Sequence, residues 1–274
     1  MRHRMTTWTT ALLTCGALAL TSACGPSEEE NNTSGDNAMA NNNREQVTEY
    51  MQFEETISSA GRVAAFESIA DLLWRNDSTP TGEDFVQANA IYLEPEGLDS
   101  RVSRREDEHY EPVTEGGETL RCRDEGVPAM NPDRCVGPAK IKPIIIDAFQ
   151  KGADGEDPEV NGARVEAALL WFFYVSSYKE GITCTEKKKD CDSCYAYYTG
   201  DKPQDDGIGL AGYFRDVVPK AHDLTWDGIL AVRCWREVDD AETATNLELR
   251  DDPMAELDKG LLYGVSRIVD RKRT

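Results

Sequence analysis

Three cysteines fall in the window CTEKKKDCDSCYAYYTGD, residues 184–201, and with Cys122, Cys135 and Cys234 they make an even set of six beyond the amino-terminal region. Thiols at such spacings can hold zinc, form a redox couple or close disulfides. Cys191-x-x-Cys194 lacks the second close pair that a two-knuckle zinc site requires. A thioredoxin-like couple needs a preceding strand, whereas KEGITCTEKKKD reads as a charged loop. In an oxidising compartment the expectation is therefore three disulfides. Cys122 with Cys135 closes the turn-rich loop RCRDEGVPAMNPDRC. Cys184 or Cys191 pairs with Cys194, or the two with each other, and the remaining thiol joins Cys234.

The other chemistry-bearing groups are carboxylates. Asp147, Glu166, Glu180, Asp192 and Asp227 lie on or beside expected helices, where inward projection builds an oxygen-rich site for a hard cation such as ferric iron. Glu166 immediately precedes a buried run, and a carboxylate entering a core must be paired or metal-bound. An Arg or Lys partner satisfies it equally well. GIGLAG has dinucleotide-binding glycine spacing but follows KPQDD instead of a hydrophobic strand. GADGED offers Asp154, Glu156 and Asp157 to calcium, without the later glycine and twelfth-position glutamate. His222 is expected to sit favourably at a helix C-terminus, with metal ligation as the alternative. No hydrolase signature is present, and an exported enzyme is kept only as a third alternative, which an acidic pocket containing His222 would favour.

The compartment follows from the amino terminus. Arg2 and Arg4 precede an apolar stretch from Trp8 to Leu20, and small residues Thr21, Ser22 and Ala23 lead to Cys24. Residues 1–23 thus read as an export signal, too short to span a bilayer. Its end resembles a bacterial lipoprotein signal with Cys24 as the lipidated residue, although Thr21 stands where leucine is preferred; secretion with cleavage near Ala23 is the alternative. Residues 24–43 are polar, with little to bury, and read as a disordered tether. A single domain follows over 44–274. The expected location is the bacterial cell envelope, on the periplasmic or surface face of the outer membrane, touching the membrane only through the lipid. A formal net charge of −21 disfavours nucleic acid and anionic phospholipid and tolerates cations.

The elements that must position these groups are helical, so the expected fold is an all-α, disulfide-stapled bundle with long loops. Residues 44–77 have near-helical apolar spacing, with Gly61 as a break. GEDFVQANAIYLEP and AKIKPIIIDAFQKG read as helices, the second terminated at Gly152. NGARVEAALLWFFYVSSYKEG, capped by Asn161 and stopped at Gly181, is apolar on every side from Ala167 to Val175 and is the expected central helix. DSCYAYYTG closes at Gly200. GLAGYFRDVVPKAH and TWDGILAVRCWREVDD follow, the latter capped by Thr225. The last helix opens at Asp252-Pro253 and carries a core stripe of Met254, Leu257, Leu261, Val265 and Ile268.

The segments DFVQANAIYLEPEGLDSRVSRRED, IIIDAFQKGADGEDPEVNGARVEAALLWFFYVSSYKE, DSCYAYYTGD and GIGLAG, in that order, resemble the algal iron-assimilation or low-iron-inducible periplasmic proteins and their bacterial relatives. The likeness covers roughly residues 83–240, including Tyr198-Thr199-Gly200. It departs where that family reads Asp-Glu-Ala, since Asp192 is followed by Ser193 and Cys194. The resemblance implies a helical, exported protein of iron acquisition without an established enzymatic role. The expected function is a cell-envelope lipoprotein binding iron or another cation, with Asp192, Glu166 and Asp147 as candidate ligands and a metal ion or envelope protein as partner. The alternative is a structural or interaction lipoprotein with no metal ligand.

Overall fold

The computed structural model describes residues 49–54 and 57–272. The expected signal 1–23, the lipidation site Cys24 and the tether 24–43 lie outside the described residues. The run NGARVEAALLWFFYVSSYKEG forms the centre of the longest helix, α6 (Pro158–Thr183). Its Val165, Leu169, Phe172, Phe173 and Val175 are all buried, so this helix must be packed on several sides. Its neighbours are α5 (Lys142–Ala153), α7 (Lys188–Thr199) and α10 (Glu248–Lys272). The remaining long helices, α1 (Ser58–Leu73), α2 (Gly82–Tyr92), α8 (Leu210–Val217) and α9 (Pro219–Val238), complete an all-α bundle. Between α2 and α5 the chain forms two short helices, α3 (Leu98–Val102) and α4 (Val127–Met130), a hairpin of β1 (Thr114–Glu115) with β2 (Glu118–Thr119), and a π-helical turn, Gly137–Ile141, that runs directly into α5. Among the described residues no helix is long and apolar enough to cross a membrane.

Local chemistry explains several boundaries. Thr81 and Asp84 exchange hydrogen bonds in a capping box that starts α2. Gly200, at φ 68°, ends α7 in the left-handed conformation that glycine adopts without strain. Five expected boundaries are corrected. Helix α6 begins at Pro158, so Asn161 is not its cap but a buried residue of its first turn, donating to the Glu156 carbonyl at 2.7 Å. Helix α1 runs through Gly61, and residues 49–54 are not helical because their backbone amides serve a buried carboxylate, described below. Gly181 does not stop α6: a Cβ there would meet Leu257 Cδ2 at 3.1 Å, so the glycine admits α10. Helix α9 begins at Pro219, whose fixed φ suits a first turn, and Thr225 is internal, donating to the Ala221 carbonyl at 2.8 Å. Helix α10 begins at Glu248, before Asp252-Pro253, and the expected stripe faces the core, with Leu257 and Leu261 fully buried and Met254 and Ile268 nearly so.

Helices α9 and α10 approach backbone to backbone. A Cβ on Gly228 would lie 2.5 Å from Leu257 Cα, and one on Gly260 would lie 2.6 Å from the Thr225 amide nitrogen. The turn between them is organised by Arg236, fully buried, which donates to the carbonyls of Cys184, Asp239, Ala241 and Glu242. Its charge is thereby spread over neutral acceptors, and the end of α6 is tied to the α9–α10 turn.

Two disulfides staple the loops, Cys122–Cys135 and Cys184–Cys191. The first closes the loop after the hairpin, whose other organiser is Arg134, ion-paired to Glu106 and Glu108. Cys194 corrects the expectation of a fully oxidised set. It is a buried free thiol one helical turn beyond Cys191, bridged to neither Cys184, Cys191 nor Cys234, and burial pushes its pKa far up.

Candidate functional site

Helices α1, α6, α8 and α10 surround a cavity of about 600 Å³. Its floor is the GIGLAG segment. Gly209 has a φ of +63°, and a Cβ there would meet Val63 Cγ1 at 2.6 Å, so a larger residue is excluded by conformation and by space. The Gly209 amide donates to Glu67 Oε1 at 2.9 Å. Arg215 holds the approach to this floor by donating to the carbonyls of Asp205 at 2.8 Å and Gly207 at 2.9 Å. The glycines thus build a wall of a cavity, in a setting with no strand before them.

Polar groups converge on the cavity in two sets. Glu67 pairs with Arg75, and its hydrogen bonds raise the Arg75 pKa further. Across the cavity, Tyr213 donates its hydroxyl proton to Glu166 Oε1 at 2.6 Å and accepts from Trp74 Nε1 at 2.8 Å. Burial first, and then the nearby Glu166 charge, push the Tyr213 pKa far up, so the phenol stays protonated near neutrality. Glu166 is itself only 5% exposed.

The three nominated ligands are not brought together. Asp192 is fully buried on α7 and accepts from Tyr50 Oη, Phe53 N and Glu54 N, each at 2.9 Å. Burial raises its pKa despite those donors. It therefore anchors residues 50–54 and has spent its oxygens on protein donors. Asp147 is partly exposed and pairs with Arg164 at 2.7 Å and Lys151 at 3.0 Å, which lower its pKa. Glu166 alone reaches a cavity. Among the described residues no group of three His, Cys, Asp or Glu side chains is placed to hold a metal. Glu180 is paired with Arg105 at 3.1 Å, and Asp227 lies on an exposed face of α9.

His222 is corrected in position: it lies in the first turn of α9, not at a helix C-terminus. Its Nε2 faces the Gln204 carbonyl at 3.0 Å and so carries the proton, leaving Nδ1 to accept from Tyr198 Oη at 2.9 Å. Burial lowers its pKa and keeps it neutral. The site residues that sequence reasoning missed are Glu67, Trp74, Arg75 and Tyr213. Their one signal is that Tyr213 follows directly on the glycine run, while Trp74-Arg75 closes an amphipathic helix.

The chain matches no family model, no curated protein and no solved structure.

Proposed function

We propose that the protein is a cell-envelope lipoprotein, tethered through Cys24, that captures iron or another hard cation in the cavity between α1, α6, α8 and α10. The observation that carries this is the pair Glu166 and Tyr213, 2.6 Å apart on the cavity wall. Carboxylate and phenol oxygens are the hard donors that ferric iron favours, and a second carboxylate, Glu67, lines the same cavity. A bound cation would take the place of the phenol proton and make Tyr213 a phenolate ligand. The acidic balance of the chain would raise the local cation concentration.

Equilibrium dialysis of the oxidised protein against ferric, ferrous, calcium and zinc ions tests this. Stoichiometric ferric uptake, with a visible phenolate-to-iron charge-transfer band that disappears in Tyr213→Phe, supports it. Uptake equal to that of an unrelated protein of similar charge sinks it. A second reading, an interaction lipoprotein without a metal ligand, is favoured by the satisfaction of Asp192 and Asp147 by protein donors, and predicts no saturable uptake.

A further inference from the structure

On another side of α1, its N-terminus opens into a smaller, polar cleft of about 200 Å³, shared with α3 and α7. The cleft is lined by Arg62, Arg101 and Lys189, and among the described residues none of the three has a carboxylate within ion-pair distance. Arg62 is 4% exposed. It donates only to neutral oxygens, Ser58 Oγ at 3.3 Å and the Glu96 carbonyl at 3.0 Å, and its buried Nε has no partner. The Nε of Arg101 is also buried without a partner. Arg236 shows how this fold satisfies a fully buried guanidinium with backbone carbonyls, and Arg62 has not been given that treatment. A desolvated, unpaired cation is strongly unfavourable, and a chain of net charge −21 has carboxylates to spare for pairing it.

The helix end adds to the same field. Helix α1 is 16 residues long, its N-cap position is Ile57, which offers no side-chain acceptor, and no acidic residue occupies its first turn. Its partial positive charge therefore faces the cleft with no side-chain cap and no acidic residue of its own first turn against it. Three carboxylates also line the cleft. Glu180 is committed to Arg105 and Lys179. Asp190 is shifted toward its protonated form by burial and by Glu180, and among the described residues Glu54 stands exposed at the rim.

We infer that this cleft binds a small tetrahedral oxyanion, hydrogen phosphate, between Arg62, Arg101, Lys189 and the first turn of α1. The volume is below that of pockets for organic ligands, which selects an inorganic ion over a phosphate ester. The carboxylate at the rim selects between ions: hydrogen phosphate can donate its proton to Glu54, whereas sulfate at neutral pH has none and is repelled. The site is independent of the cation cavity and stands whether or not iron binds there.

Titration calorimetry of the full chain with inorganic phosphate, sulfate and glycerol 3-phosphate near neutral pH tests it. Expected is one phosphate per chain, weakened about tenfold or more in Arg62→Gln and in Arg101→Gln, with both other anions weaker by at least about tenfold, as loss of a charge-assisted contact requires. Because Arg62 is buried, Arg101→Gln, which removes a less buried cation from the same cleft, keeps the test valid if Arg62→Gln fails to fold. Absence of saturable phosphate binding, phosphate affinity unchanged in Arg101→Gln, or sulfate or glycerol phosphate binding as tightly as phosphate would each overturn the assignment.

Discussion

The guanidinium of Arg105 lies 3.1 Å from the carboxylate of Glu180, and the two join the loop after α3 to the last turns of α6 inside the protein. Arg105 is 4% exposed, reaches Tyr197 Oη at 3.3 Å and lies 5.4 Å from the Phe172 ring centroid. Burial alone would raise the Glu180 pKa, but the Arg105 charge, aided by Lys179, outweighs it and the net shift is downward. Arg105→Met would strand the carboxylate and is expected to cost about 3–5 kcal/mol in urea unfolding, whereas Arg105→Met with Glu180→Leu should cost clearly less. A double variant no more stable than the single would show that the pair is not the source of the loss.

The pH dependence of the same pair has a defined sign. A carboxylate whose folded pKa is depressed contributes stability above its unfolded pKa and loses it as pH falls through the folded value. Wild-type stability should therefore fall on acidification below the ordinary glutamate range of about 4.3. In Glu180→Gln that acid limb should be shallower.

His109 carries an opposite, alkaline limb. Its Nδ1 is 2.6 Å from Asp107 and its Nε2 is 3.0 Å from Asp258 of α10, and its ring stacks on Tyr178 at a centroid distance of 3.9 Å. Hydrogen bonds to Asp107 and then to Asp258 raise its pKa from 6.5 to about 9. A histidine with a raised folded pKa contributes stability that is fully present below 6.5 and is lost as pH rises through about 9. Urea midpoints measured from pH 6 to pH 10 should fall across that window in the wild type and stay flatter in His109→Gln. Parallel curves would show that the two aspartates do not hold a charged ring.

Two glycines on different helices should respond with opposite signs. A Cβ at Gly228 would press on Leu257 Cα at 2.5 Å, so Gly228→Ala should force α9 and α10 apart and cost about 1–3 kcal/mol. A Cβ at Gly61 would meet nothing within 4 Å, and Gly61→Ala should stabilise by about 0.5–1 kcal/mol through helix propensity. Equal effects at the two sites in thermal unfolding would contradict the backbone contact between α9 and α10.

The helical class was legible because its signals are local. The apolar run in α6, the stripe in α10 and the Gly200 stop each depend on neighbours in sequence. What failed depended on distant partners. Residues 49–54 have helical apolar spacing, yet their amides go to Asp192, more than a hundred residues away. Gly181 looked like a terminator because nothing in its own segment reveals that α10 needs the space. Asp192 attracted attention as a ligand for a sound reason, since a carboxylate in a buried helix must be satisfied, but backbone donors met that need. The cavity escaped notice because Glu67, Glu166 and Tyr213 come from three helices with no shared motif.

The anchorage of residues 50–54 also fixes how the body would bear load. Tyr50 stacks on Tyr195 at a centroid distance of 4.2 Å, the Met51 carbonyl accepts from Arg233 at 2.6 Å, and Phe53 lies under the same guanidinium at 3.5 Å. Tension arriving from the amino terminus would meet these attachments, together with those of Asp192, before it reached α1. The force would pass into α7 and α9 of the bundle, making the segment a strain relief that shields the first helix from being peeled away.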